Sequence, residues 1–225
     1  MTNSMCVIIL AAGVGKRMKT YGPKCTIEIG SNETVIGRQI RLMKKSLPNY
    51  NILVVVGFQK AKVLKIIDVD FIENKKYELT NTCVSVNIAI KNKKYSKILI
   101  VYGDIVFTND IFLNMPNESW VSIDNEKNQR SNEVGINIID DYVEHFSYGI
   151  SPKWGHVAML MGKELSLYES ITDNISSNKK FCFEIFNEIM ECGGKFKSHS
   201  NKNWKMVEID TSKDIDRAIK LTKRD

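Results

Sequence analysis

The chain has 225 residues, of which 43% are hydrophobic, 26% charged and 9% aromatic. This length suits one α/β domain with a large core, and no apolar run reaches the roughly 20 residues that span a bilayer, which excludes a transmembrane protein. The net charge of +6 favours anionic partners, and phosphorylated small molecules qualify as readily as nucleic acid. Because the lysines are scattered in doublets, the charge alone does not indicate a nucleic-acid-binding protein.

The N-terminal residues and the cysteines are typical of a cytoplasmic protein. The apolar run Val7–Ala12 leads into glycines and charged residues and not into a cleavage site, so we do not expect secretion. The five cysteines include no Cys-x-x-Cys pair, and the three histidines form no close pair of ligands. We therefore expect neither a disulfide scaffold nor a structural zinc site, and we expect a reducing cytosol as the environment.

The first half of the chain alternates between predicted strands and predicted helices. Short apolar runs predict buried strands at Met5–Ala11, Ile52–Val56 and Ile98–Tyr102, and Val69–Glu73 is a further short predicted strand. Apolar residues at helical spacing predict helices at Glu33–Ser46, Gln59–Ile67 and Thr80–Lys91. This alternation predicts parallel strands that are joined by right-handed helical crossovers.

The alternation ends after Asp104. Alternating patterns beyond Trp120 predict antiparallel strands at Glu133–Asp140, Tyr142–Tyr148 and His156–Met161. The remaining predicted elements are a short strand at Lys205–Ile209 and helices at Leu165–Ile175, Phe181–Cys192 and Asp214–Lys223. We interpret residues 1–225 as a single α/β domain with a Rossmann-like, mixed and mostly parallel sheet flanked by helices. Its parts are a regular half (1–115), a more irregular half (116–205) and a closing strand and helix (206–225).

The segment after the first predicted strand carries the clearest chemical signal. It consists of Leu10, Ala11, Ala12, Gly13, Val14 and Gly15, followed by Arg17 and then by Pro23 and Lys24. Glycine lets an anion approach the backbone N–H groups, and the arginine and lysine add positive charge. The segment therefore predicts a cradle for a polyphosphate, with an ordinary tight turn as the alternative. It differs from the P-loop string and from the dinucleotide fingerprint, whose third glycine is replaced by Met18.

Asp104 is a candidate metal ligand. It follows the strand Ile98–Tyr102 and Gly103, and in an open parallel sheet this carboxyl edge is where ligands bind. A carboxylate in that position suits Mg²⁺, which prefers oxygen ligands. The alternative is an aspartate that only caps a turn.

Taken together, the string Leu10–Met18 with Pro23 and Lys24 resembles the opening of nucleotidyltransferases that activate sugar phosphates and polyol phosphates. The five residues between Arg17 and Pro23 are similar to the spacing in methylerythritol-phosphate cytidylyltransferases. Later segments resemble phosphocholine cytidylyltransferases, at Asn81-Thr82-x-x-Ser85, Gly103-Asp104 and Glu208-Ile209-Asp210. The resemblance extends from Met5 to about Lys220 and is loose over Trp120–Lys205.

This resemblance implies the nucleotide-diphospho-sugar transferase type of fold and the transfer of a nucleotidyl group with release of pyrophosphate. Arg17 and Lys24 would be catalytic, and Asp104 and Asp210 would hold Mg²⁺. The nucleotide would be bound by Leu10, Ala11, Ala12, Gly13, Val14, Gly15, Asn81, Ser85 and Gly103. Asp210 and Asn81 also have a structural alternative, because each could stand at the start of a helix.

The resemblance also implies the substrates. CTP is the expected donor, and a phosphocholine-like or phosphonate compound is the expected acceptor, bound by residues 116–205. There Phe146, Tyr148 and Trp154 either line the acceptor pocket or pack in the core. A sugar-1-phosphate nucleotidyltransferase that uses UTP, dTTP or GTP is the nearest alternative, and a nucleotide-binding protein without catalytic activity is the alternative of another class. A homodimer is compatible with the sequence, and neither nucleic acid nor a membrane is an expected partner.

Overall fold

The computed structural model describes residues 4–30, 32–124 and 130–223. Within these residues, nine strands form one sheet and two short strands form a second. The strands are β1 (Met5–Ala11), β2 (Asn51–Val56), β3 (Asp70–Glu73), β4 (Lys97–Tyr102), β5 (Ile105–Phe107), β6 (Trp120–Asp124), β7 (Val134–Ile139), β8 (Tyr142–Tyr148), β9 (Lys153–Met161), β10 (Lys197–His199) and β11 (Met206–Glu208). The α-helices are α1 (Val35–Ser46), α2 (Lys60–Leu64), α3 (Thr82–Asn92), α4 (Gly162–Thr172), α5 (Cys182–Glu191) and α6 (Ser212–Thr222).

The large sheet has the order β3-β2-β1-β4-β9-β6-β10-β8-β7. The strands β1 to β4 are parallel to one another, as the alternation of strands and helices predicts. Strand β9 then pairs antiparallel with β4 on one side and with β6 on the other, so it joins the two halves of the sheet. The predicted α/β fold with a mixed sheet is confirmed, but the sheet is not mostly parallel, because β8 and β7 add further antiparallel pairings beyond β9. No helix of the described residues has both the length and the apolar character needed to cross a bilayer.

Both faces of the sheet are buried at β1, which explains why this strand is a continuous apolar run. Along β1, Cys6 and Ile8 belong to one hydrophobic core, and Val7 and Ile9 belong to the core on the opposite face. The first core is covered by α3, α4 and α5, and the second by α1 and α2. Because each buried aliphatic side chain contributes about 1.5–3 kcal/mol, β1 is firmly fixed and can support a loop at its carboxyl end.

Strands β5 and β11 pair antiparallel, and the sequence analysis predicted no strand at β5. Three residues directly after a turn are too short to give a periodic signal, and the same holds for β10. A small third core packs α6 and β11 against the segment that follows the first loop, through Met18, Ile27, Val207 and Leu221 among others. This packing brings the end of the chain beside the end of β1.

Several predicted boundaries differ from the structure. The helix predicted at Gln59–Ile67 is limited to α2, because Gln59 has a left-handed backbone with φ of 47°. The helix predicted at Leu165–Ile175 begins three residues earlier, at Gly162, and ends at Thr172. Strands β7 and β8 are joined by a turn at Asp140 and Asp141, which both have positive φ, as a tight hairpin requires.

Candidate functional site

The loop after β1 is held by the neighbouring strands on both sides. The N–H of Gly103 donates to the carbonyl of Leu10 at 3.0 Å, and the N–H of Phe58 donates to the carbonyl of Ala12 at 3.0 Å. Glycine is required at both contacts, because a Cβ on Gly57 or Gly103 would lie 2.7 Å from one of these two carbonyl oxygens. The loop backbone is therefore fixed before any ligand binds.

Lys24 connects this loop with two acidic residues. Its aliphatic carbons lie beside Gly15, which has φ of +58° and whose Cβ, if present, would be 3.1 Å from the Lys24 Cγ atom. Its Nζ atom lies 3.0 Å from Asp104 Oδ2 and 2.6 Å from Asp210 Oδ1. Arg17 also contacts Asp210, at 3.2 Å from the other carboxylate oxygen. The structure thus brings together the two cations and the two acids that the sequence analysis selected.

The charges of this cluster depend on one another. Burial lowers the pKa of Lys24, but the charges and hydrogen bonds of Asp104 and Asp210 outweigh that effect and raise it above its ordinary value. Burial raises the pKa of Asp210, whereas the hydrogen bond and charge of Lys24 and the charge of Arg17 bring it below its ordinary value. The lysine and the carboxylate are therefore both charged at neutral pH.

Glu208 is a third acid at this site, and the sequence analysis gave it no role. Glu208 is the last residue of β11, and Asp210 follows it on the other side of the buried Ile209. The N–H of Ile209 donates to the carbonyl of Asp104 at 3.0 Å, which brings that residue to the same place. One carboxylate oxygen from each of Asp104, Glu208 and Asp210 lies within 4.8 Å of the others. Three oxygen ligands at this spacing fit Mg²⁺.

A buried lysine positions Glu208. The Nζ atom of Lys153 lies 3.2 Å from Glu208 Oε2 and 2.9 Å from Glu133 Oε1, and its side chain is 6% exposed. Burial lowers the pKa of Lys153, but Glu208, Glu133 and Asp124 together raise it above its ordinary value. His156 lies 3.6 Å from the same Glu208 oxygen. This network joins residues of β9 and β11 with Glu133, which precedes β7, and no motif in the sequence indicates it.

These residues surround a cavity of about 320 Å³. Its wall from the first half includes Leu10, Ala11, Ala12, Gly13, Gly15, Lys24, Asn81, Ser85, Gly103 and Asp104, and its wall from the rest of the chain includes Glu133, Tyr148, Trp154, His156, Glu208 and Asp210. Of the residues selected from the sequence, Val14 and Arg17 lie outside this lining. Arg17 instead reaches the site through Asp210, with 62% of its side chain exposed.

Asn81 and Ser85 both line the cavity, but their side chains make different hydrogen bonds within the protein. Asn81 caps α3, because its side-chain oxygen accepts the N–H of Thr82 at 2.9 Å, as the structural alternative predicted. Ser85 is buried inside α3 and accepts a hydrogen bond from the amide of Asn74 at 3.2 Å. Asn74, which is 1% exposed and also lines the cavity, organises this wall and was missed because an isolated asparagine gives no sequence signal.

The aromatic residues predicted for the second half have different positions. Phe146 is buried, packs against Trp154 and Phe186, and is part of the core. Trp154 is also buried but lines the cavity, stacked on His156 with ring centroids 4.7 Å apart. Tyr148 lines the cavity with half of its surface exposed. His156 has φ of +58° within β9, a strained conformation for a residue other than glycine.

The chain is similar to known proteins over different lengths. The family model described as MobA-like NTP transferase domain matches residues 7–121. The bifunctional protein GlmU of Neisseria meningitidis serogroup A is 36% identical over 104 residues, which are 46% of this chain and 22% of that protein. GlmU of Francisella philomiragia is 34% identical over 116 residues, 50% of this chain and 25% of that protein. The chain therefore matches at most about a quarter of the length of these two curated relatives.

Solved structures are similar over nearly the whole chain. The inositol-1-phosphate CTP transferase of T. maritima has a TM-score of 0.77 and 16% identity, over 98% of this chain and 97% of that one. The CTP:phosphocholine cytidylyltransferase LicC of Streptococcus pneumoniae has a TM-score of 0.73 and 17% identity, over 97% and 99%. The nucleoside-diphosphate-sugar pyrophosphorylase of Vibrio cholerae RC9 has a TM-score of 0.73 and 14% identity, over 95% and 99%. At these identities the likeness shows a shared fold and does not select a substrate.

Proposed function

The chain belongs to the family of MobA-like NTP transferase domains, and from this premise we propose that it transfers a nucleotidyl group from a nucleoside triphosphate to a small phosphorylated acceptor. The observation that carries this proposal is the position of Lys24, beside the glycine loop and between Asp104 and Asp210. A site with this composition can bind a triphosphate through backbone N–H groups and lysine, and a divalent cation through carboxylates.

In the proposed reaction, a phosphate oxygen of the acceptor attacks the α-phosphorus, and the bond from that phosphorus to the bridging oxygen of the β-phosphate breaks. The electron pair leaves with pyrophosphate. The attacking oxygen is already anionic, so no side chain has to remove a proton. The work of the protein is therefore to position two anions and to stabilise the charge that develops.

Each side chain of the cluster has a role in this proposal. Lys24 would stabilise charge on the α-phosphate and on the departing pyrophosphate, and Arg17, which is more exposed, would support it. Asp104 and Asp210, together with Glu208, would hold Mg²⁺. When bound, this ion would supply neutralisation of phosphate charge.

For the donor we propose CTP. Two of the structurally similar proteins are by name CTP transferases, and the motif Asn81-Thr82-x-x-Ser85 resembles phosphocholine cytidylyltransferases. Within the cavity, Asn74, Thr80 and Ser85 form a small polar group joined by hydrogen bonds of 3.1 and 3.2 Å, which supports a polar base or a ribose as its ligand.

For the acceptor we propose a small phosphate or phosphonate that also carries a cationic group, such as a phosphocholine-like compound. The part of the cavity contributed by the second half combines the aromatic rings of Trp154 and Tyr148 with the carboxylates of Glu133 and Glu208. Aromatic faces and carboxylates both favour a cation. Both carboxylates also pair with Lys153, which holds them at this wall of the cavity.

The test is a pyrophosphate-release assay with ATP, CTP, GTP, UTP and dTTP, each combined with phosphocholine, aminoethylphosphonate, polyol phosphates and sugar phosphates. We expect release with CTP and a cationic acceptor, and no release without Mg²⁺. Release with UTP, dTTP or GTP and a sugar 1-phosphate would instead identify a sugar-phosphate nucleotidyltransferase, a candidate supported by the likeness to a protein named nucleoside-diphosphate-sugar pyrophosphorylase. Nucleotide binding without release for any acceptor would contradict the proposed catalysis and favour a nucleotide-binding protein.

A further inference from the structure

We propose that Lys24 occupies the cation position between Asp104 and Asp210 in the nucleotide-free protein, and that a triphosphate draws Lys24 away from it. The protein would then bind a divalent cation weakly when no nucleotide is present, and the cation and the nucleotide would bind together. The inference rests on the proposed nucleotidyl transfer. It adds that Lys24 leaves the acids before the divalent cation binds there, and it gives Lys24 a second role beside the stabilisation of phosphate charge.

The geometry places one ammonium group where a shared cation would lie. Lys24 Nζ is 2.6 Å from an oxygen of Asp210 and 3.0 Å from an oxygen of Asp104, both within hydrogen-bond distance. The side chains of the lysine and of the two aspartates are 14%, 22% and 23% exposed, so solvent only partly screens the interaction. Lysine carries a compact charge with three donors, so a single ammonium can satisfy two carboxylates.

An ammonium and a divalent cation cannot share this position. Both would use the carboxylates of Asp104 and Asp210, and at such a short separation their positive charges repel strongly. Glu208 completes the group of acids, with one oxygen from each of the three within 4.8 Å of the others. A divalent cation can therefore use all three acids only after Lys24 has left the position between Asp104 and Asp210.

The position of the Lys24 side chain allows this exchange. Its Cγ, Cδ and Cε atoms lie 3.1–3.5 Å from the place of a Cβ on Gly15, so the chain runs along the proposed phosphate loop. A triphosphate on that loop would offer the ammonium new anionic partners close by. Lys24 could change from carboxylate to phosphate oxygens with rotations of its own side chain and without a movement of the backbone.

Arg17 provides the internal comparison. It also contacts Asp210, at 3.2 Å, but through the oxygen that Lys24 does not use, and its side chain is 62% exposed. Removing Arg17 takes away one positive charge near the acids and leaves Lys24 between them. If Lys24 acts by occupying the position, the variants Lys24→Met and Arg17→Met will differ, although each removes a single positive charge.

The experiment measures Mn²⁺ binding to the nucleotide-free protein by electron paramagnetic resonance of the free ion. Mn²⁺ serves as the probe because carboxylate oxygens suit it as they suit Mg²⁺. We expect weak binding to the wild type and binding that is at least about tenfold tighter in Lys24→Met, because each 1.4 kcal/mol of competition that is removed raises the affinity tenfold. Arg17→Met should change the affinity by much less. The gain should disappear in the double variant Lys24→Met/Asp210→Asn.

Lys24→Met should have opposite effects on the affinities for the nucleotide and for Mn²⁺. Lys24→Met should weaken CTP binding, measured by equilibrium dialysis without a metal, while it strengthens Mn²⁺ binding, and a general loss of structure would weaken both. Circular dichroism and thermal unfolding check the fold, and Lys24→Gln is a second variant that keeps a hydrogen-bond donor without the charge. Mn²⁺ should raise the melting temperature of the two Lys24 variants and not that of the wild type, because an ion that binds only the folded protein stabilises it by mass action. This result would support the inference.

Two results would overturn the inference: equal Mn²⁺ affinity in the wild type and in both Lys24 variants, or an equal gain in Arg17→Met and Lys24→Met. The Mn²⁺ measurement needs no substrate, so its outcome is separate from the proposed function. If pyrophosphate is never released and Mn²⁺ still binds more tightly to Lys24→Met, the occupied cation position stands and the transfer reaction is contradicted.

Discussion

The strands β1–β4 and the strands β6–β10 belong to one sheet, yet they contribute to the site in different ways. The parallel strands of the first group end at one edge, and the site is built from the residues just beyond those ends. These are the loop after β1, Gly57 after β2, and Gly103 and Asp104 after β4. The second group is mainly antiparallel, and it contributes side chains from within or beside its strands, such as Trp154 and His156 of β9.

This difference between the two groups of strands suits two functions, the binding of phosphate groups and the recognition of the acceptor. Phosphate groups are common to all nucleotides, and a backbone loop with fixed cations and acids can bind them whatever the base or acceptor. An acceptor has its own shape and charge, and side chains on antiparallel strands can change without moving the backbone that supports them. The family model covers residues 7–121, which is the first group of strands and the start of β6. We therefore expect substitutions in the first group to affect transfer itself and those in the second to affect the choice of acceptor.

The largest expected effect tests the first group. Lys24→Ala or Asp104→Ala should lower the turnover number about 10²–10³-fold, the usual loss when one electrostatic contact to a transition state is removed. The fold should survive, because both side chains lie at the end of the sheet and outside its cores. Pyrophosphate release and circular dichroism measure the two quantities.

The matched control for this test is Lys94→Ala. Lys94 pairs with Glu169 at 2.7 Å, is 80% exposed and precedes the start of β4, whereas Asp104 follows the end of that strand. The control should keep normal turnover. Normal pyrophosphate release by either purified site variant would show that the substituted residue is not catalytic. It would also contradict the proposal that the first group of strands carries the transfer reaction.

The second group is tested by Lys153→Met. This change removes the ammonium group that Glu133 and Glu208 share, and a hydrogen bond between charged groups contributes about 1.5–3 kcal/mol of stability. Urea unfolding measures that loss. In the assay we expect the KM of the acceptor to change by a larger factor than the KM of the nucleotide, because Glu133 lies on the acceptor wall of the cavity. Equal changes in both KM values would contradict a separate acceptor side.

The same contrast explains how much could be predicted from the sequence. Strands β1, β2 and β4 are apolar and mostly buried, and a glycine follows the end of each, so these strands, the loop and the place of Asp104 could be predicted from local patterns. The order of the strands in the sheet could not. Asp210 was selected by resemblance alone, because it is 106 residues from Asp104 in the chain and only the pairing of β5 with β11 brings the two together.

The acceptor side could not be predicted in the same way. Lys153 and His156 lie on β9 and Glu133 precedes β7, and Glu133 meets Lys153 because β7 pairs with β9 at Gly135 and Lys153. A buried lysine between two glutamates has no sequence signal, since an isolated lysine usually lies on the surface. The role of Asn81 in capping α3 was one of two alternatives that local patterns leave open, because asparagine is favoured both at helix starts and in polar sites.

Asn81→Ala measures that capping role, with a smaller expected effect. Loss of the cap should lower stability by about 1 kcal/mol, within the usual range of roughly 0.5–2 kcal/mol. If the side chain serves only α3, the KM of the nucleotide will stay close to the wild-type value. An increase in that KM of about tenfold or more, without a further loss of stability, would show that Asn81 also contacts the nucleotide. Asn81 would then belong, with the phosphate loop, to the residues that bind the nucleotide.

The smallest expected effect concerns the pH dependence of the second group. His199 of β10 lies between Trp120 and Trp204, with ring centroids 4.8 and 4.7 Å away, and burial lowers its pKa to about 4. The ordinary histidine pKa is near 6.5, so between pH 6.5 and pH 4 the unfolded chain binds a proton that the folded chain does not. This contribution to the free energy of unfolding is therefore complete above pH 6.5 and is lost as the pH falls toward 4. The loss is about 1 kcal/mol after an allowance for solvent screening.

Melting temperatures measured from about pH 7 to pH 4 should fall more steeply for the wild type than for His199→Gln. Parallel curves would show that His199 does not contribute to the pH dependence of stability. Because His199 does not line the cavity, the two proteins should keep the same turnover at neutral pH.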